Sequence, residues 1–176
     1  MEIGMYHSYL EVDFGNMKEQ YRKVQAAAAP RGVIPVMKAN AYGIGLLPMA
    51  DFLVNTMGAE VLAVAQTCEG VTLRQGGFRK ADIMLLGPAP ENAVPYAVEN
   101  RLLLPVFNRE NADMVDAAAR EQGLVARVQL KINTGMNRIG VCAGPDLDAL
   151  LAHLKAKLSS GCVDFGNSDT LAEEAA

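Results

Sequence analysis

Lys38 and its neighbours are the residues of this chain best suited to do chemistry. An apolar, partly β-branched run, Val33-Ile34-Pro35-Val36-Met37, leads up to the lysine, and Ala39-Asn40-Ala41-Tyr42-Gly43 follows it. Such a run, bounded by turn residues, predicts a buried strand. An ammonium group is costly in a sheet interior, so the strand's end suits a lysine whose pKa must fall. A lysine that sheds its proton readily can form a Schiff base with a carbonyl compound. Residue types alone therefore suggest pyridoxal phosphate, with a simply solvated strand-end lysine as the alternative.

The segment Val36-Met37-Lys38-Ala39-Asn40-Ala41-Tyr42-Gly43 resembles the pyridoxal-phosphate attachment motif of alanine racemases. Further on, Lys131-Ile132-Asn133-Thr134-Gly135-Met136-Asn137-Arg138-Ile139-Gly140 resembles the second signature of that family. Leu62-Ala63-Val64-Ala65, Thr72-Leu73-Arg74 and Leu85-Leu86-Gly87 follow the family pattern between them. The resemblance spans residues 8–158 and fades beyond.

It implies a pyridoxal 5′-phosphate-dependent isomerase that interconverts L- and D-alanine, with D-alanine destined for the bacterial cell wall. It also implies a homodimer acting on a small amino acid. Lys38 would be the Schiff-base lysine and the base on the D-face. Tyr42 would place its hydroxyl on the cofactor phosphate, although a tyrosine packing on a barrel rim is the simpler reading of the residue alone. Arg138 would sit beside the cofactor's phenolic oxygen and the substrate carboxylate, offering a planar fork of donors. The backbone at Met136 would help to hold that carboxylate, with plain barrel-mouth packing as the alternative. Lys131 matches a position that is carbamylated in some members. A serine or broad-specificity racemase fits the same motifs. A non-catalytic, single-domain carrier of the cofactor would likewise lack a C-terminal β-domain, but such carriers do not carry the signature seen at Thr134–Arg138.

Three departures stand out. Ile44 replaces the family's usual histidine, and Asn133 replaces the commoner aspartate. The stretch from Gly161 to Asp169 resembles a damaged form of a segment whose histidine stacks on the cofactor ring; Val163 or Asp164 stands there instead.

Elements that could position these residues alternate along the chain. Strand-like runs lie at Val33–Met37, Val61–Ala65, Ile83–Leu86, Leu102–Phe107 and Val125–Ile132, with a doubtful sixth near Gly161–Phe165. Helical patterns cover Phe14–Ala28 behind an Asp13 cap, Leu46–Met57, Thr67–Gln75, Glu91–Glu99, Arg109–Glu121 and Asp146–Leu158. Strands separated by helices predict a parallel α/β sheet. Periodicity alone also fits an open flavodoxin-like sheet. The resemblance selects a partial (β/α)8 TIM-type barrel of five to six βα units, whose chemistry sits at the strands' C-terminal ends. A whole barrel takes about 250 residues, so a chain of 176 residues reads as a truncated racemase of doubtful independent activity. Residues 1–12 would form a leading strand, Tyr9–Val12 within it, that packs with an absent C-terminal β-domain. Residues 13–160 would be the barrel portion and 161–176 a degenerate strand and tail.

Composition narrows the partners. Sixteen basic residues against 20 acidic ones give a net charge of −4, which argues against nucleic acid. Cys68, Cys142 and Cys162 match neither a disulfide framework nor a zinc-ligand set. His7 and His153 offer no convincing partner for a nucleophile. Without a signal-like start or a membrane-length apolar run, the expectation is a cytoplasmic protein with no metal.

Overall fold

Asp13 caps the first helix in the computed structural model, which describes residues 8–158 and the backbone of 163–164. Its side chain accepts from the Asn16 N–H at 3.0 Å, satisfying one of the unpaired donors of α1 (Phe14–Ala28). Phe14, Met17 and Tyr21 recur at helical spacing and pack against the core. The Phe14 ring lies 4.9 Å from that of Phe52. Residues 8–12 are irregular, with Tyr9 and Leu10 exposed, so Tyr9–Val12 forms no strand here; the first seven residues of the expected leading strand lie outside the described residues.

Val33–Met37 differs from the buried strand the sequence predicts. It contributes one parallel bridge, Val36 to Ala63, flanked by Met37 N–H to Ala63 O (2.7 Å) and Ala63 N–H to Pro35 O (2.9 Å). The Pro35 carbonyl faces β1, so the N–H that proline lacks is the one that would have continued this ladder back towards Val61. Ile34 and Val36 are correspondingly 44% and 40% exposed, and only Met37 turns wholly into the core.

The chain then enters a single helical turn, α2 (Lys38–Tyr42), followed by α3 (Leu46–Asp51), which passes into a π-helical turn over Phe52–Thr56. The βα units that follow are β1 (Val61–Val64) with α4 (Thr67–Gln75), then β2 (Asp82–Leu85) with a 3-10 turn and α5 (Val94–Glu99). They continue with β3 (Leu103–Val106), α6 (Arg109–Gln122) and β4 (Ala126–Leu130). The short strands β5 (Ile132–Asn133) and β6 (Val141–Cys142) pair with each other, and α7 (Pro145–Leu158) leads towards β7 (Val163–Asp164).

All pairings in the main sheet are parallel, in the order β1-β2-β3-β4-β7, with the Val36 bridge on the free side of β1. Each new strand adds beside its predecessor, the progression of a (β/α)8 barrel carried part of the way round. The doubtful sixth strand is present as β7 on β4; the rest of the 161–176 stretch, Cys162 included, lies outside the described residues. Leu62, Ile83, Leu85, Leu104 and Val128 are wholly buried, as strands covered by helices require. At the opposite end of the sheet the Arg74 guanidinium donates to the carbonyls of Phe78 (2.6 Å), Ala81 (2.7 Å), Asn100 (3.0 Å) and Arg101 (3.1 Å). One side chain of α4 thereby ties together the loops that feed β2 and β3.

Helix α7 is fastened to α6 by charge. Lys157 Nζ reaches Asp116 at 2.7 Å and Asp113 at 2.9 Å, and His153 Nε2 lies 2.8 Å from Asp113. Burial pushes the Asp116 carboxyl up, but hydrogen bonds from Lys157 and Arg120 outweigh it and hold the group below the usual range. Lys157, with burial opposing and His153 assisting, does the same for Asp113. A depressed carboxyl pKa gives stability that is complete above the unfolded value of 3.8 and is lost as pH falls through the folded one. Asp116→Asn is expected to destabilise the chain by roughly 1–3 kcal/mol at neutral pH. Urea titrations should also show it losing less further stability than the wild type below that value.

Candidate active site

Parallel pairing brings Lys38, the end of β2 and the end of β4 to one edge of the sheet. Lys38 follows the Val36 bridge and is exposed there. After it, Ala39, Asn40, Ala41 and Tyr42 all hold φ between 54° and 55°, a left-handed turn built without glycine until Gly43 at φ 89°. Left-handed backbone costs roughly 1–2 kcal/mol for each such residue, so surrounding groups must hold it. Ala41 is buried, and the Asn40 side chain accepts from the Leu46 N–H at 2.8 Å. The Asn40 carbonyl accepts from Gly43 and Gly45. The Ala39 N–H donates to Glu69 Oε1 at 2.6 Å. The turn carries the Tyr42 ring back towards the lysine, with Lys38 Nζ 6.0 Å from the ring centroid. Asn40 is thus a turn-forming residue, and Ile44, standing where the family usually carries a histidine, packs partly buried on the core.

The second cluster sits at the end of β4. Lys131 Nζ crosses β3 to donate to the Leu86 carbonyl at 2.5 Å, and Gln129 Nε2 donates to the Leu85 carbonyl at 2.9 Å. Burial pushes the Lys131 pKa down, and the charge of Arg138 lowers it further. Arg138 and Met136 are exposed on the loop beyond. Among the described residues, no acceptor stands in hydrogen-bonding position to the Arg138 guanidinium or the Lys38 ammonium.

Asn133 organises that loop. Its Oδ1 accepts from the N–H of Gly135 (3.1 Å) and Asn137 (3.0 Å), while Nδ2 donates to Asn137 Oδ1 at 2.9 Å. An aspartate could accept both N–H groups but could not make the last contact. Sequence reasoning marked Asn133 as a departure from the family but did not find this role. It also missed Glu69, although Gln66 and Glu69 stand at capping-box spacing. His153 is committed to Asp113, and the exposed thiols of Cys68 and Cys142 lie among no metal-ligating cluster of the described residues. His7 and the stretch from Gly161 to Asp169, apart from the backbone of β7, lie outside the described residues. No helix among the described residues is long and apolar enough to cross a membrane.

A family model described as "Alanine racemase, N-terminal domain" matches residues 12–166. The alanine racemase of Desulfovibrio desulfuricans is 35% identical over 134 residues, covering 76% of this chain and 36% of its own. The solved alanine racemase from Streptomyces coelicolor A3(2) superposes with a TM-score of 0.77 at 32% identity, over 86% of this chain and 40% of that one. A histidine racemase from Leuconostoc mesenteroides subsp. sake superposes with a TM-score of 0.78 at 26% identity, again over 86% and 40%. The chain therefore spans little more than a third of the curated relative's length.

Gly140 closes the loop against the strand before it. Its φ is +131°, and a Cβ there would lie 2.7 Å from the Asn133 nitrogen. Gly140→Ala is expected to destabilise the chain by roughly 1–3 kcal/mol and to speed amide exchange at Gly135 and Asn137. Gly32→Ala, with open space around it, is the control expected to leave that exchange unchanged.

Proposed function

The chain belongs to the alanine racemase family through its N-terminal domain, and we propose that it racemises amino acids with pyridoxal 5′-phosphate held at Lys38. The observation that carries this reading is the left-handed turn, which exposes Lys38 at the catalytic end of a parallel sheet with Tyr42 beside it. The donor set suits the cofactor: an amine for its aldehyde, a phenol for its phosphate and a guanidinium for anionic oxygens. Bound there, the cofactor supplies an electron sink for charge developing at the substrate α-carbon.

Lys38 Nζ provides the attachment point and, on the D-face, accepts and returns the α-proton. Tyr42 orients the phosphate through its hydroxyl. Arg138 and the backbone at Met136 bind the substrate carboxylate, for which a charged planar donor gives both strength and direction. Lys131 suits carbamylation, because its depressed pKa favours the neutral amine that this modification consumes. Alanine is the favoured substrate, since the curated relatives are alanine racemases. A second reading prefers another amino acid: histidine, for which the histidine racemase neighbour speaks, or serine, which the motifs equally allow. A cytoplasmic homodimer supplying D-alanine for the cell wall belongs to the same proposal.

Solvent-deuterium exchange at the substrate α-carbon tests it. The full chain with pyridoxal 5′-phosphate is expected to wash deuterium into D-alanine faster than into L-alanine, and Lys38→Ala to slow this about 100-fold or more. No exchange by the wild-type chain, or undiminished exchange in K38A, would contradict the proposal. Running serine and histidine alongside discriminates the substrate readings.

A further inference from the structure

Glu69 joins the attachment lysine to the barrel. Its half-buried carboxylate accepts three backbone N–H groups from two places far apart in sequence. Oε2 takes Ala65 at 2.9 Å and Gln66 at 3.1 Å, where β1 ends and α4 begins. This is the reciprocal half of a capping box, and it needs only one oxygen. Oε1 is left over, and it takes the Ala39 N–H at 2.6 Å, thirty residues back in the chain. That N–H belongs to the first residue of the left-handed turn, immediately after Lys38.

We propose that Glu69 is a positioning residue for Lys38: one oxygen grips the rigid end of β1, and the other pins the strained turn that sets the lysine against Tyr42. The inference rests on Lys38 being the cofactor lysine, but the clamp itself concerns only this chain's backbone. Charge makes it effective, because hydrogen bonds to an ionised acceptor are shorter and stronger than neutral ones. Four consecutive residues at positive φ relax towards ordinary backbone unless something opposes them. The Ala39 N–H sits at the point where that relaxation would start. The carboxylate also spares the Ala39 donor from lying unpaired beside the sheet edge.

Glu69→Gln separates the two grips. A glutamine has one acceptor oxygen. Keeping that oxygen on the cap turns the NH2 group towards the Ala39 N–H, donor against donor. The helix cap then survives while the turn loses its anchor. Two measurements on the full chain follow from this. In E69Q without cofactor, amide exchange at Ala39 is expected to speed up about tenfold or more, with the thermal midpoint close to that of the wild type. In E69Q loaded with pyridoxal 5′-phosphate, the visible circular dichroism of the bound group is expected to collapse although its absorbance remains, because attachment persists without fixed placement. Glu69→Ala should lose both and also some thermal stability.

Wild-type exchange at Ala39 in E69Q overturns the clamp. Faster exchange with an undiminished visible circular dichroism overturns the positioning role. If the wild-type chain takes up no cofactor, the reading of Lys38 fails instead, and Ala39 exchange alone still decides whether Glu69 holds the turn.

Discussion

Each strand of the sheet from β1 to β4 hydrogen-bonds to its successor in the same direction, so each delivers its last residue to one edge. Lys38 and Lys131 reach that edge from segments nearly a hundred residues apart in sequence, and no other pairing direction would bring them there. The interior that enforces the arrangement is simple aliphatic packing, with Leu62, Ile83, Leu104 and Val128 fully buried. Charged groups fasten the opposite end and the flank: Arg74 gathers loop carbonyls, Arg127 pairs with Asp82, and Lys157 holds α7 on α6. At the edge that carries Lys38 and Arg138 the charged contacts go to backbone, from Glu69 and Lys131, and among the described residues neither Lys38 nor Arg138 is paired with an acid.

At that edge the backbone is strained in two places, and polar side chains bond each of them. The left-handed turn after Lys38 depends on Glu69 and Asn40. The loop before Arg138 depends on Asn133, with Asn137 at φ 56° and Gly140 pressed against Ile132 and Asn133. Strain of this kind persists only where neighbours over-determine it, and it collects at functional sites. The two sites of strain coincide with the two motifs that carry the family resemblance.

Much of this was legible in the residues. Asp13 marked the start of α1, and the pattern of Thr67–Gln75 marked α4 to its last residue. Apolar runs located β1 to β4 because buried parallel strands carry no polar face to confuse the period. Val33–Met37 misled for the opposite reason. Its composition suits a strand, but Pro35 removes the donor that a ladder needs, and half of the run faces outward. The left-handed turn was invisible because asparagine favours positive φ only as an isolated residue, and alanine and tyrosine do not favour it at all. Its hydrogen bonds come partly from close neighbours and partly from Glu69, thirty residues away. Likewise, the sequence marks Asn133 only as a replacement for the commoner aspartate, and the fold shows its amide bonding the Asn137 side chain. The roles proposed for Tyr42, Arg138, Met136 and Lys131 rest on resemblance; composition and spacing alone would have left them as rim and loop residues.

Borohydride reduction of the full chain after incubation with pyridoxal 5′-phosphate, followed by peptide mapping, tests the central claim most directly. The account predicts one pyridoxyl group per chain, on the peptide that contains Lys38. Labelling spread over several lysines, or concentrated on Lys131, would contradict it.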